Sequence, residues 1–181
     1  MISVGAMSKL LYSATMSLDG FIAGPDGDMS WLTEHLADGE VDVHALMAGI
    51  GALLVGANTF GGDDPNAGTD SEAAFGGRWQ GPSIVLTHAP PPADGDPDVT
   101  FAGDLETAVQ AAKAAAGGKY VNVLGANVAT QCLEAGLLDE ILTFIAPVML
   151  GDGVRLFSHP GGTNVRLERI EDRPGLWFRV A

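Results

Sequence analysis

The sequence predicts an α/β sandwich, with a mostly parallel central sheet, helices on both faces and a C-terminal antiparallel hairpin. Three observations predict it. Short apolar runs alternate with helix-forming segments across the middle of the chain. Several of those runs end directly in loops rich in Gly, Thr or Asn. The tail segments Val165 to Ile170 and Leu176 to Val180 alternate around Pro174-Gly175, a hairpin signal. At 181 residues the chain is expected to form one domain, 1–181, able to bury a full core.

The elements follow in order. Leu10 to Met16 reads as a first strand, and Phe21-Ile22-Ala23 resumes an extended run after Ser17-Leu18-Asp19-Gly20. Gly24-Pro25-Asp26-Gly27-Asp28 is a dense turn cluster, with Trp31 just beyond it. Glu40 to Met47 fits a short helix with Val43, Leu46 and Met47 on one face. Ala52 to Gly56 is a buried strand, followed by Ala57-Asn58-Thr59-Phe60 as a helix start or turn. Gly61 to Gly81 has no clear period and is expected to be a long loop. Ser83 to Thr87 and Val99 to Ala102 are further strands. Asp104 should cap a helix over Leu105 to Ala115 that stops at Gly117-Gly118. A strand at Tyr120, a glycine turn and a helix ending near Gly136 come next, then a strand over Ile141 to Ala146.

Composition narrows the function classes. Asp and Glu total 23 against 9 Lys and Arg, a net charge of −14, which argues against nucleic acid and anionic membrane as partners. The single cysteine, Cys132, allows no intrachain disulfide and sits where a small buried hydrophobe belongs. The four histidines have no partners at zinc-ligand spacing, so no metal is expected. No apolar run approaches membrane-spanning length, and Met1 to Ala6 lack the features of a signal peptide. The expectation is a cytoplasmic enzyme or binding protein acting on a small molecule.

The stretch Tyr120 to Leu133 carries the main chemical signal. A buried strand, one glycine and the first turns of a helix place free backbone N–H groups and a helix dipole beside an open sheet edge, which suits a phosphate. The loops after Thr15, Val55, Leu86 and Leu124 all leave strand ends, where open sheets of this class bind ligands.

Five segments in order then resemble one family. They are Ser17 to Gly24, Leu54 to Phe60, Ile84 to Thr87, Val123 to Asn127, and Leu138-Asp139-Glu140 through Pro147 to Gly151. Their order and spacing resemble the dihydrofolate-reductase-like proteins, in the branch related to the reductase domain of riboflavin biosynthesis. The resemblance implies an enzyme that moves a hydride from NADPH, with NADH as the alternative, to a pterin, pyrimidine or carbonyl substrate such as a ribosylaminopyrimidine. It also implies a homodimer. By match to the motifs, Gly125, Ala126, Asn127, Val128 and Ala129 receive the pyrophosphate, with Gly56, Asn58 and Thr59 adding contacts. Leu86, Thr87 and His88 flank the adenosine end, and Thr15, Ile22 and Ala23 line the nicotinamide. Glu40 falls in the acidic slot of dihydrofolate reductases and Thr143 in the threonine slot, with Asp19 as a further catalytic candidate. Trp31 and Phe60 would wall a flat ring, and Asp152 would pin the loop from Asp19 to Trp31.

Two positions depart from the family pattern. Ala57 stands where an arginine often pairs with the 2′-phosphate of NADPH, a contact of about 1.5–3 kcal/mol. Ala126 replaces the second glycine of the phosphate turn. The alternatives are a true dihydrofolate reductase and a non-catalytic nucleotide-binding protein of the same fold.

Overall fold

In the computed structural model, residues 7–36, 43–61, 74–89 and 96–181 are described. The strands are β1 (Leu10–Ser17), β2 (Phe21–Ala23), β3 (Ile50–Gly56), β4 (Ser83–Leu86), β5 (Val99–Ala102), β6 (Tyr120–Leu124), β7 (Glu140–Ala146), β8 (Val154–Arg155), β9 (Leu167–Arg169) and β10 (Leu176–Val180). The helices are α1 (Leu32–Leu36), α2 (Val43–Ala48), α3 (Ala57–Phe60), α4 (Ala74–Gly77), α5 (Leu105–Ala116) and α6 (Ala126–Glu134). The main sheet has the order β5-β4-β3-β6-β1-β7-β10-β9. Its six members from β5 to β7 are parallel, β10 runs antiparallel to β7, and β9 antiparallel to β10. The predicted sheet and terminal hairpin are therefore both present. α1, α4 and the short β8 are additions to the sequence-based reading, too brief to leave a period.

Strand alternation divides the core into two faces. Leu10, Tyr12, Leu54, Val121 and Val123 pack against Ala108, Val109 and Ala112 of α5 and Val128 and Cys132 of α6. Leu11, Leu53, Leu142 and Trp177 face the other way, where Leu46 of α2 and the Phe75–Trp79 pair cover them. Cys132 is fully buried, and burial pushes its thiol pKa up to about 12, so it behaves as a small hydrophobe. Asp104 caps α5 by accepting the Thr107 N–H at 2.8 Å, and Gly117 ends the helix in the left-handed region. Among the described residues no helix is long and apolar enough to cross a membrane.

The amino ends of the central strands converge on one carboxylate. Glu140, at the start of β7, is 2% exposed. Its Oε1 accepts the Lys9 ammonium at 2.9 Å. Its Oε2 accepts the Tyr120 hydroxyl at 2.8 Å and the Trp177 indole N–H at 2.7 Å. These groups come from the start of β6, the residue before β1, and β10, the strands that flank β7 and its neighbour. Arg173 closes the network, donating to the Tyr120 hydroxyl at 3.2 Å with its guanidinium 4.5 Å over the Trp177 ring. Burial raises the Glu140 pKa, but the bonds from Lys9, Tyr120 and Trp177 outweigh it and leave the carboxyl below its usual range.

A lowered folded-state pKa contributes stability above the unfolded value, about 4.3, and loses it as pH falls through the folded one. Glu140→Ala is expected to lower the unfolding free energy by about 3 kcal/mol at pH 7, because it strands the buried donors. The gap from wild type should narrow between pH 5 and pH 3, as read by denaturant unfolding.

Candidate functional site

Strands β4, β3, β6 and β1 are consecutive neighbours and parallel. The loops that leave their carboxyl ends therefore emerge side by side along one rim. β1 and β6 pair only from Leu10↔Val121 to Tyr12↔Val123. β1 then continues along β7 to Ser17↔Ala146, while β6 stops at Leu124 and turns. Past Tyr12 no strand among the described residues pairs with the β6-facing edge of β1, which carries Ala14, Thr15 and Met16, and in the reading below this open edge borders the ligand crevice.

Gly125 forms the turn out of β6. Its φ of +104° lies in the region that favours glycine, and a Cβ there would stand 2.5 Å from Thr59 Oγ1. The exposed α3, which carries Asn58 and Thr59, thus lies directly against the start of α6. Gly56 is also close-packed, though less tightly, since a Cβ on it would reach the Val128 side chain at 3.0 Å. Ala126 already belongs to α6, and its φ is not positive, so its methyl group brings no backbone strain. The N–H groups of Ala126, Asn127 and Val128 open the helix and have no intrahelical acceptor. The Ala129 N–H is committed to the Gly125 carbonyl at 3.1 Å, and its side chain is buried in the core with that of Val128. The N–H groups of Ala126, Asn127 and Val128 are thus the donors that the first turn of α6 leaves without an acceptor inside the helix. Next along the rim, Leu86 packs into the core, Thr87 accepts the Ala89 N–H at 3.1 Å, and His88 is exposed.

The other wall is a pair of loops locked together. Asp19 Oδ1 accepts the Leu150 N–H at 3.1 Å and the Ser17 hydroxyl, and Oδ2 accepts the Gly151 N–H at 2.7 Å. Leu18 N–H donates to the Val148 carbonyl at 2.8 Å, and β2 pairs with β8. Gly153, with φ +127°, has the Ala23 carbonyl only 2.1 Å from where a Cβ would sit, so the two loops touch backbone to backbone. Arg155 covers the Phe21 ring at 4.4 Å. Ile22 is half-buried and Ala23 buried within this unit. Asp152 accepts from the adjacent Gly153 N–H at 2.8 Å, so Asp19, not Asp152, pins the loops. The Ser17 bond, with the two amides, holds the Asp19 pKa down at about 2 despite partial desolvation.

The remaining candidates are dispersed. Phe60 packs edge-on against Phe101 of β5 at 5.9 Å, four strands from β1. Trp31 lies beside His35, with ring centroids 6.3 Å apart. Glu40 lies outside the described residues. Thr143 follows Leu142, which faces α2, so its side chain points to the opposite face. There it lines a cavity of about 290 Å³ with Tyr12, Ala129, Ile141, Leu156 and Phe178. Sequence reasoning missed Ser13, whose hydroxyl donates to Asn122 Oδ1 at 2.7 Å across the parting of β1 and β6. The available signal was an asparagine set between two valines in a strand read as buried. Among the described residues no cluster of His, Cys, Asp and Glu could hold a metal ion.

Residues 8–175 match the family model described as the RibD C-terminal domain. Riboflavin biosynthesis protein RibD of Haemophilus influenzae is 28% identical over 90% of this chain, which spans only 52% of that protein's length. A Shewanella sp. PV-4 protein, titled provisionally for riboflavin biosynthesis, superposes with a TM-score of 0.72 at 23% identity, covering 96% of this chain and 99% of its own. The Thermotoga maritima protein named diaminohydroxyphosphoribosylaminopyrimidine deaminase/5-amino-6-(5-phosphoribosylamino)uracil reductase gives 0.62 at 21% identity, covering 96% and 56%. Dihydrofolate reductase of Enterococcus faecalis gives 0.55 at 15%, covering 97% and 94%. These likenesses show a dihydrofolate-reductase-like fold.

The clamp yields a direct test. Its contribution is present above pH 4, the usual range of an unfolded aspartate, and is lost as pH falls through about 2. Asp19→Asn removes one acceptor lobe, so the Leu150 or Gly151 amide should exchange about tenfold faster with deuterium at pH 6. Unchanged exchange would show that the Leu18–Val148 bond and the β2–β8 pairing hold the loops without the carboxylate.

Proposed function

The chain belongs to the RibD C-terminal domain family, and from that premise we propose that it is a nicotinamide-dependent reductase acting on an aminopyrimidine of the kind met in riboflavin synthesis. The observation that carries the reading is the Gly125–Thr59 seat beside the open edge of β1. In this reading a dinucleotide binds there. Its pyrophosphate would meet the N–H groups of Ala126, Asn127 and Val128 and the Thr59 hydroxyl. Leu86, Thr87 and His88 would flank its adenosine end. When bound, the nicotinamide supplies a hydride. Thr15 would border it along the open strand edge, and the Asp19-clamped loops, carrying Ile22 and Ala23, would keep water from the crevice.

NADPH is the proposed cofactor by family, but the rim offers little for its 2′-phosphate. None of the nine Lys and Arg residues lies between 56 and 61 or between 86 and 89, and His88 is the one basic side chain in those two segments. NADPH or NADH at millimolar concentration is expected to raise the melting temperature, and a flat response to both would end the reductase reading. Ala57→Arg should raise the NADPH-over-NADH affinity ratio at least about tenfold, matching a charge-assisted contact.

A homodimer is proposed on separate grounds. β9 is an edge strand exposed along its length, with Leu167 at 41% exposure beside the half-buried Val165. A second copy across this hairpin would cover it. Light scattering at micromolar concentration should give twice the chain mass; a monomer mass would overturn the proposal.

A further inference from the structure

Asn122 is an anomaly in the middle of the sheet. It is 0% exposed, and in register it stands between Leu11 of β1 and Leu53 of β3, both fully buried. Its Oδ1 takes the Ser13 hydroxyl proton, while its Nδ2 is buried with no acceptor among the described residues. An unpaired buried amide lowers stability, and a leucine of similar size would avoid it. The bond to Ser13 has a particular place. Leu11↔Asn122 is the second of the three β1–β6 pairs, and Ser13 is the first β1 residue beyond the last of them. The contact therefore sits at the base of the crevice, with Ser13 only half-buried. With its proton held by Asn122, the Ser13 oxygen has only lone pairs left to offer.

We propose that Asn122 is a positioning residue that holds the Ser13 hydroxyl as a hydrogen-bond acceptor, and that Ser13 receives a ring N–H of the heterocycle bound in the crevice. The inference rests on the reductase reading and narrows its substrate to rings with a lactam or imide edge. No folding role accounts for the pair, because two apolar residues would satisfy the same space without an orphaned N–H group.

Uracil and 1,3-dimethyluracil are suitable probes, being the same ring with and without N–H donors. Their dissociation constants can be measured by NMR titration of the full chain with saturating NADPH. Wild type is expected to favour uracil at least about tenfold, the usual reward of a hydrogen bond whose loss leaves a site group unpaired. Ser13→Thr keeps the hydroxyl and should keep the preference. Ser13→Ala and Asn122→Leu should reduce it to within about twofold, and Asn122→Leu should melt no lower than wild type. Loss of no preference in Ser13→Ala overturns the proposal, as does a wild type indifferent between the probes. So does an Asn122→Leu variant that melts lower and still prefers uracil. The dinucleotide melts are read separately. Stabilisation by NADPH without a uracil preference removes the Ser13 assignment and leaves the reductase reading; no stabilisation by either dinucleotide removes the reading itself.

Discussion

The sheet is held shut at its foot by a buried carboxylate, and this allows it to open at the rim. Glu140 gathers Lys9, Tyr120 and Trp177 around two oxygens, joining the ends of β6, β1, β7 and β10. Burying such a charge carries a large desolvation cost, offset only when every lone pair finds a donor. With the amino ends so joined, β1 and β6 can part after three paired residues without the sheet losing its register. A parallel sheet held evenly along its length would have no crevice there.

The crevice then needs two unlike walls. One is built from backbone: Gly125 at φ +104°, the free N–H groups of α6 and the exposed α3 pressed against the turn. This wall is rigid because a close approach of Thr59 leaves no space for a side chain at 125. The other is a double loop in which each member supplies the partners of the other. Asp19 binds amides at 150 and 151, and Leu156 N–H donates to the Gly20 carbonyl at 2.9 Å. Tyr12 joins the two systems, packing in the core while its hydroxyl donates to the Leu156 carbonyl at 3.1 Å.

Much of the backbone wall was legible in the sequence. A glycine that ends an apolar run and opens a helix marks a strand–turn–helix junction, and Thr59 follows a second run of the same kind. The side-chain assignments were less legible. Asp19 reads first as a turn cap and second as a catalytic group, and its distant partners at 150 and 151 are visible only in the structure. Thr143 fell in the expected slot by spacing, yet side chains alternate across a strand, so neighbouring positions occupy opposite faces. Phe60 could be placed at a strand end but not on a side, because its companion Phe101 is forty residues away in another strand. Asn122 was passed over as part of a strand, since polarity inside an apolar run carries no mark of what it bonds.

By itself the sequence determined the order and kind of the longer elements, the parallel sheet with its terminal hairpin, the glycine turn before α6 and the lack of a cation at Ala57. These follow from periodicity, turn chemistry and residue identity, which act over a few neighbouring positions. Only the tertiary structure decided that four strand ends share one rim, that β1 leaves β6 after Tyr12, that Asp19 is a clamp, and that Ser13 meets Asn122 at the base of the gap. Each of those depends on hydrogen bonds between residues far apart in the chain. A local pattern specifies which groups are available for such bonds, and the packing of the sheet selects the partners.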